Sequence, residues 1–450
     1  MGLYRQLDDM LDMIETNNKI NNQLFSKHKV KRGLRNSDGT GVLVGLTKIG
    51  SVKGYDLVDG KKEASQGRLL YRGIDLNHLV HGFQSENRCG FEEITYLLIF
   101  GHLPNESELK YFNQLLDSQR DLPKGFTENM ILKIPSKDIM NKIQRSILVL
   151  YSHDETPDDT SLKNLVHQSI KLIALLPTII SYGFQAKSHY FNKKSLYIHK
   201  PQPGIGTAAN ILHMIRPDNG YTDKEKEVLD LLLVIHAEHG GGNNSTFTTS
   251  VISSTGTDTY SAISAAVGSL KGPKHGGANV KVADMISDIK THCDYTDLNA
   301  LEEYLTKILN KEAFDKTGLV YGMGHAVYTK SDPRAELLKQ KAYELALEKG
   351  QLNDYELYTH IESISKKLFH IKRGPEFHIS ANTDLYAGLV YQLLGIPQDL
   401  YTPLFATARI SGWCAHRIEQ ILSDPKILRP AYAFVEDDIT YEKLNERAIK

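Results

Sequence analysis

The sequence predicts a mainly α-helical protein with a minor β-hairpin region near the N-terminus. Three observations carry this. Apolar residues recur at spacings of three and four through most of the 450 residues. Short β-branched runs broken by Gly and one Asp-Gly turn cluster only between residues 41 and 73. Helix stops are legible at Pro123, at Gly350 after a Lys-containing last turn, and at Gly395 before Pro397.

In chain order, "GVLVGLTKIGSVKGYDLVDGKKEASQGRLLYRG" (41–73) is expected to form the hairpin, turning at Asp59-Gly60. Helical periodicity follows in residues 108–119, 138–153, 161–184 and 223–239. It returns in 262–270, 301–309, 334–350 and 385–396. No internal repeat or Ser/Gly linker divides the chain. If there are two domains, one helical mass contributes to both and the chain crosses between them more than once.

Composition excludes several classes. Lys and Arg (53) balance Asp and Glu (54), so no concentrated basic face for nucleic acid or a membrane surface is expected. Cys89, Cys293 and Cys414 lie far apart without C-x-x-C spacing, as reduced thiols of an intracellular protein would. No apolar run is expected to reach bilayer length. The acidic opening "MGLYRQLDDMLDMIETNN" has no apolar core of a signal peptide, and Gln6 breaks the myristoylation pattern. A cytoplasmic location is expected.

Five polar stretches stand out from amphipathic helix. "IHAEHGGGNNSTFT" (235–248) gathers His236, Glu238 and His239 before three glycines. It admits a helix C-terminus favouring His, a ligand-facing imidazole, or a metal site, though H-E-x-x-H and an obvious third ligand are missing. "GSLKGPKHGGANVKVADM" (268–285) sets His275 between glycines at the mouth of a helix, as a cap or as a ligand-facing group. The positive helix end would keep this imidazole neutral, able to donate to an enol oxygen.

"GLVYGMGHAVYTKSDPRAELL" (318–338) brings His325 behind Gly322 and Gly324, and puts Arg334 in the first turn of a helix. The macrodipole disfavours a cation there, so Arg334 is expected to serve another partner. In "ANTDLYAGLVYQLLGIP", Asp384 opens a helix either as its N-cap or as a working carboxylate. Arg409, in apolar "TARISGWCAHR", and Arg429, in "ILRP", complete the set. A buried guanidinium needs an anion, and convergent ones suit a di- or tricarboxylate.

Zinc ligation, Ser-His-Asp hydrolysis and phosphoryl transfer each lack a part. The inventory suits carbon-acid chemistry: a carboxylate removes an α-proton, one neutral imidazole holds the enol, and a second polarises the electrophile.

As a series, "HAEHGGGN", "LKGPKHGGAN", "GMGHAVY…DPR", "NTDLYAG" and "FATARISGW" resemble the citrate synthase family from "LLYRGIDL" (69–76) to "ILRP" (427–430). The resemblance implies a two-domain fold, with a large helical domain at 1–275 and 386–450 and a small domain at 276–385 closing over the site. It implies Asp384 as the base acting on the acetyl-CoA methyl group, His275 at the enol oxygen, and His325 at the oxaloacetate carbonyl. His239, Arg334 and Arg409 would grip oxaloacetate, with Arg429 supplied across a homodimer interface. Acetyl-CoA is the co-substrate, with no permanently bound cofactor and no metal. Lys330 would meet a CoA phosphate.

The chain departs from the commonest family wording in several places. Glycines follow His239, Thr383 precedes Asp384 where Val is frequent, Thr329 stands where relatives carry a basic residue, and no second arginine follows Arg429. Three other readings stay open. The first is a 2-methylcitrate synthase using propionyl-CoA. The second is a catalytically silent citrate or CoA sensor, and the third a metal hydrolase built on His236, Glu238 and His239.

Overall fold

The hairpin falls within the stretch that the sequence marks for it. β1 (Gly50–Val58) pairs antiparallel with β2 (Lys61–Tyr71), Gly50 opposite Tyr71, and the register shifts between Lys53 and Tyr55. A two-residue β3 (Ile74–Asp75) closes the three-stranded sheet. This is a computed structural model; it describes residues 11, 17–58, 61–374, 376–424 and 426–447. Most of the acidic opening stretch and the Asp59-Gly60 turn lie outside the described residues.

Two units are distinguished: residues 46–427, and the chain ends 1–45 with 428–450. The terminal unit contains α1 (Asn22–Lys27), capped by the Asn21 side chain. The larger unit holds the sheet and the remaining helices. In order they are α2 (Leu76–Ser85), α3 (Phe91–Phe100), α4 (Glu106–Ser118), α5 (Ile139–Leu150) and α6 (Leu162–Asn192). Next come α7 (Gly206–Ile215), α8 (Asp223–His236), α9 (Asn244–Ser253), α10 (Thr259–Lys271) and α11 (Ala278–His292). The last are α12 (Leu298–Leu309), α13 (Pro333–Glu348), α14 (Leu352–Arg373), α15 (Thr383–Leu393) and α16 (Tyr401–Ser423).

Local chemistry sets the helix ends. Asn105 with Glu108, and Thr222 with Glu225, form reciprocal capping boxes that start α4 and α8. Asp332 caps α13 with Pro333 in its first turn, where a missing N–H costs nothing. Gly350 and Gly395 follow α13 and α15 at φ of 65° and 64°, the left-handed geometry read from sequence as helix stops.

At the centre, α16 is buried on every face from Tyr401 to Ile418 and packs against α3, α6, α8, α9 and α10. One sequence expectation needs correction. By length and composition α6 could cross a membrane, but 83% of its apolar window is buried inside the fold. Its charged residues are spread widely enough that the apolar run was missed. It is a core helix, apolar around most of its circumference because other helices surround it.

Candidate active site

Helix α8 ends at His236, so Glu238 and His239 sit in the turn beyond it. Tyr71 of β2 terminates the helix: its hydroxyl lies 3.0–3.2 Å from the carbonyls of Val234, Ile235 and Glu238. The three polar side chains of this segment then diverge. His236 Nε2 meets Thr383 Oγ1 at 3.3 Å, Glu238 turns to His416 Nε2 at 3.0 Å, and His239 faces the His325 ring at 5.2 Å. A metal site would need them to converge.

His239 and His325 form an aromatic cluster with Tyr328. The His325 ring stacks on Tyr328 at 4.7 Å, and His239 stands edge-on to both. The backbone N–H groups of Val327 and Tyr328 both donate to His325 Nδ1, each at 3.1 Å. An amide can only donate, so Nδ1 must accept and the ring proton belongs on Nε2.

His275 is set the opposite way. The Ser245 N–H, in the first turn of α9, donates to His275 Nε2 at 3.3 Å, and Ser245 Oγ lies 3.1 Å from the same nitrogen. The neutral ring therefore carries its proton on Nδ1. Trp413 Nε1 donates to Ser245 Oγ at 3.1 Å and anchors the arrangement. Burial first, then the charge of Arg409, pulls the His275 pKa down to about 4. Sequence reasoning credited the helix that follows His275. That helix begins three residues later, and the donor instead comes from α9, 30 residues upstream.

Asp384 is not the N-cap of α15. Asn382 takes that role, its Oδ1 accepting from the Asp384 N–H at 3.0 Å. Among the described residues, neither Asp384 carboxylate oxygen has a hydrogen-bond partner. Burial pushes its pKa up to about 6, against the opposing pull of Arg334. A short antiparallel bridge ties this segment to the His325 loop. Gly324 N donates to Ser380 O, Asn382 N to Gly322 O, and Asn382 Nδ2 to Gly324 O, all at 2.8 Å.

The arginines differ. Arg334 forms a fork with Asp332, Nε to Oδ1 at 3.0 Å and Nη2 to Oδ2 at 2.7 Å. The partner implied by its place in the first turn is thus the helix's own N-cap. Arg409 is fully buried, and Nε donates to His236 O at 2.5 Å. Among the described residues, its Nη1 and Nη2 are buried without a hydrogen-bond partner, as is His239 Nε2. Burial lowers the Arg409 pKa to about 10 and drives His239 well below its ordinary value. The Arg409 charge acts on His239, so the two lie near each other, and buried guanidinium donors without acceptors suit an anion.

Lys330 is exposed on the loop between His325 and Arg334, and Arg429 is exposed in the terminal unit. The glycines flanking these histidines serve the fold more than expected. A Cβ at Gly276 would strike Leu270 O, and one at Gly322 would strike Leu385, so the close approach there is made by protein. Sequence reasoning missed Tyr71, Ser245, Asn382 and Trp413 as site-building residues. Only Asn382 carried a local signal, as an Asn two residues before a helical Asp.

Comparison with known proteins follows the same outline. A family model described as citrate synthase, C-terminal domain, matches residues 37–431. The chain is 33% identical to a citrate synthase of Haloferax volcanii over 93% of its own length and 99% of the relative. It is 31% identical to a 2-methylcitrate synthase of Shewanella oneidensis, over 82% of this chain and 88% of the other. Among solved structures, the citrate synthase of Thermoplasma acidophilum, in a ternary complex with carboxymethyl coenzyme A and oxaloacetate, superposes with a TM-score of 0.76 at 26% identity, covering 93% of this chain and 99% of that one.

Proposed function

The chain belongs to the citrate synthase family, and on that premise we propose how its residues divide the reaction. The reaction is condensation of acetyl-CoA with oxaloacetate, followed by hydrolysis of citryl-CoA to citrate and CoA. Asp384 removes a methyl proton from acetyl-CoA while His275 Nδ1–H hydrogen-bonds the thioester oxygen and shares its proton with the enolate as it develops. The nucleophilic carbon attacks the oxaloacetate carbonyl, whose oxygen is hydrogen-bonded by His325 Nε2–H and is protonated as the bond forms, balancing the proton taken up by Asp384. Water then cleaves the thioester, and the sulfur leaves as the thiol of CoA.

Arg409, Arg334 and His239 hold the oxaloacetate carboxylates. The observation that carries this reading is the pair of buried Arg409 amino groups without acceptors, beside an equally unsatisfied His239 Nε2. Arg334, already neutralised by Asp332, adds direction more than net charge. Lys330 meets a CoA phosphate; its exposure on the His325 loop supports this. No cofactor is permanently bound.

The segment 276–385 acts as a small domain that closes over oxaloacetate and excludes water, protecting the thioester. The enzyme works as a homodimer, Arg429 reaching the partner's site. Tyr432 and Phe434, just beyond it, are 94% and 78% exposed in the single chain, which supports a covering partner. Light scattering tests the dimer. A cytoplasmic location is in keeping with three unpaired cysteines.

Propionyl-CoA is the competing substrate, favoured by the likeness to a 2-methylcitrate synthase. One methylene shifts discrimination by only about 1–3 kcal/mol. Oxaloacetate-dependent thiol release from acetyl-CoA, run beside propionyl-CoA, tests the proposal. Faster release from acetyl-CoA supports citrate synthesis; faster release from propionyl-CoA assigns the chain to 2-methylcitrate synthesis.

A further inference from the structure

Glu238 is fully buried, yet its carboxylate never enters the site. It points away from His239 into a socket whose walls are glycines. A Cβ at Gly50 would lie 2.7 Å from Oε1, and a Cβ at Gly412 would lie 2.5 Å from Oε2. Neither position tolerates a side chain while the carboxylate is seated there.

Inside the socket, Oε1 accepts from the Gly240 N–H and from His416 Nε2, the latter at 3.0 Å. The far nitrogen of His416 faces Glu419 Oε2 at 3.9 Å. His416, Arg409 and the Gly240 N–H outweigh burial and hold the carboxyl below its ordinary range. Oε2 is buried and has no hydrogen-bond partner among the described residues, so Glu238 carries a desolvation cost that packing alone does not explain.

The contacts show what the group joins. Gly240 and Ala237 flank the His239 turn; His416 and Gly412 belong to α16, which carries Arg409. Ala237 O also accepts from Gly412 N at 3.2 Å. The Glu238 seat therefore clamps the turn bearing one anion-facing group onto the helix bearing another. Its charge also acts directly on the Arg409 guanidinium.

We propose that Glu238, seated with His416 between Gly50 and Gly412, is a positioning residue that holds His239 and Arg409 in register for oxaloacetate. This rests on the reading of those two residues as oxaloacetate ligands. Removing the seat acts on oxaloacetate and spares acetyl-CoA. Size complementarity also makes the defect reversible: a methyl group at position 50 evicts the glutamate, and a carboxylate one methylene shorter makes room for it.

The test uses the full chain with E238Q, G50A, E238D and the double variant G50A/E238D. Calorimetric oxaloacetate affinity and both KM values are measured beside the melting temperature. Oxaloacetate affinity is expected to fall about tenfold in E238Q and G50A, the size of effect usual for residues that orient a binding group. The KM for acetyl-CoA at saturating oxaloacetate stays within about twofold. G50A/E238D recovers most of the affinity lost in G50A.

Unchanged oxaloacetate affinity in E238Q and G50A would overturn the proposal. So would parallel losses in both KM values, or misfolding of both single variants without rescue in the double variant. Binding is read without turnover, so the outcomes separate. A parent chain that binds oxaloacetate but releases no thiol contradicts the functional reading and leaves the socket's test intact.

Discussion

The backbone N–H of Ser245 donates to His275 Nε2 at 3.3 Å, and this bond decides which nitrogen holds the proton. At His325 the donors are the N–H groups of Val327 and Tyr328, and they meet Nδ1. The two imidazoles are thus set to opposite tautomers by backbone, which mutation of a side chain cannot easily disturb. His275 presents Nδ1–H and His325 presents Nε2–H.

Nitrogen NMR on ¹⁵N-histidine protein at neutral pH measures this directly. His275 is expected as the Nδ1–H tautomer and His325 as the Nε2–H tautomer, assigned with single His→Gln variants. The same tautomer at both positions would contradict the division of labour.

The two titrating groups at the centre move in opposite directions. Asp384 is raised to about 6 and must be ionised to act as a base. His275 is lowered to about 4 and must be neutral to donate. Activity is therefore complete above the Asp384 pKa and lost as pH falls through it, while His275 remains neutral over that range. The profile of kcat/KM for acetyl-CoA should show a single acid limb near pH 6, falling about tenfold per unit below it. A limb at the ordinary aspartate value would place the base in a wetter environment.

Arg409 combines full burial with two unsatisfied amino groups, so its truncation should register on oxaloacetate. A charge-assisted clamp of this kind contributes about 2–5 kcal/mol, roughly thirtyfold or more in the oxaloacetate KM. Steady-state kinetics of Arg409→Gln check this. An unchanged oxaloacetate dependence would make Arg409 a core residue that serves only the His236 carbonyl.

Asp332 has two structural duties, capping α13 and neutralising a guanidinium that is 3% exposed. Asp332→Ala should leave Arg334 charged and alone in the interior, a loss of about 3–5 kcal/mol. Thermal unfolding would register it as a marked fall in melting temperature. An unaltered melting temperature would show that water or another carboxylate compensates Arg334.

Much of this was legible in the sequence, for identifiable reasons. Periodicity exposes helices with one apolar face, such as α5 and α12. It is weaker for α16, where residues from Tyr401 to Ile418 are buried on all sides and no polar face remains to mark the period. The histidines proposed to take part in the reaction were visible because they stand among glycines, although at Gly276 and Gly322 those glycines admit protein rather than ligand. What fixes the histidines was hidden. Ser245 acts through its amide, which every residue but proline possesses, and Trp413 reaches it from 168 residues away. The Glu238–His416 pair spans 178 residues, and no local pattern marks a contact of that range.

The most direct test of the central claim is Asp384→Asn, measured for oxaloacetate binding by calorimetry and for thiol release from acetyl-CoA. In the proposed division of the reaction the carboxylate acts on the other substrate, so oxaloacetate should bind with nearly its normal affinity while thiol release falls at least about a hundredfold. Retained thiol release would remove Asp384 as the base, and a collapse of oxaloacetate binding would make it a structural member of the carboxylate seat.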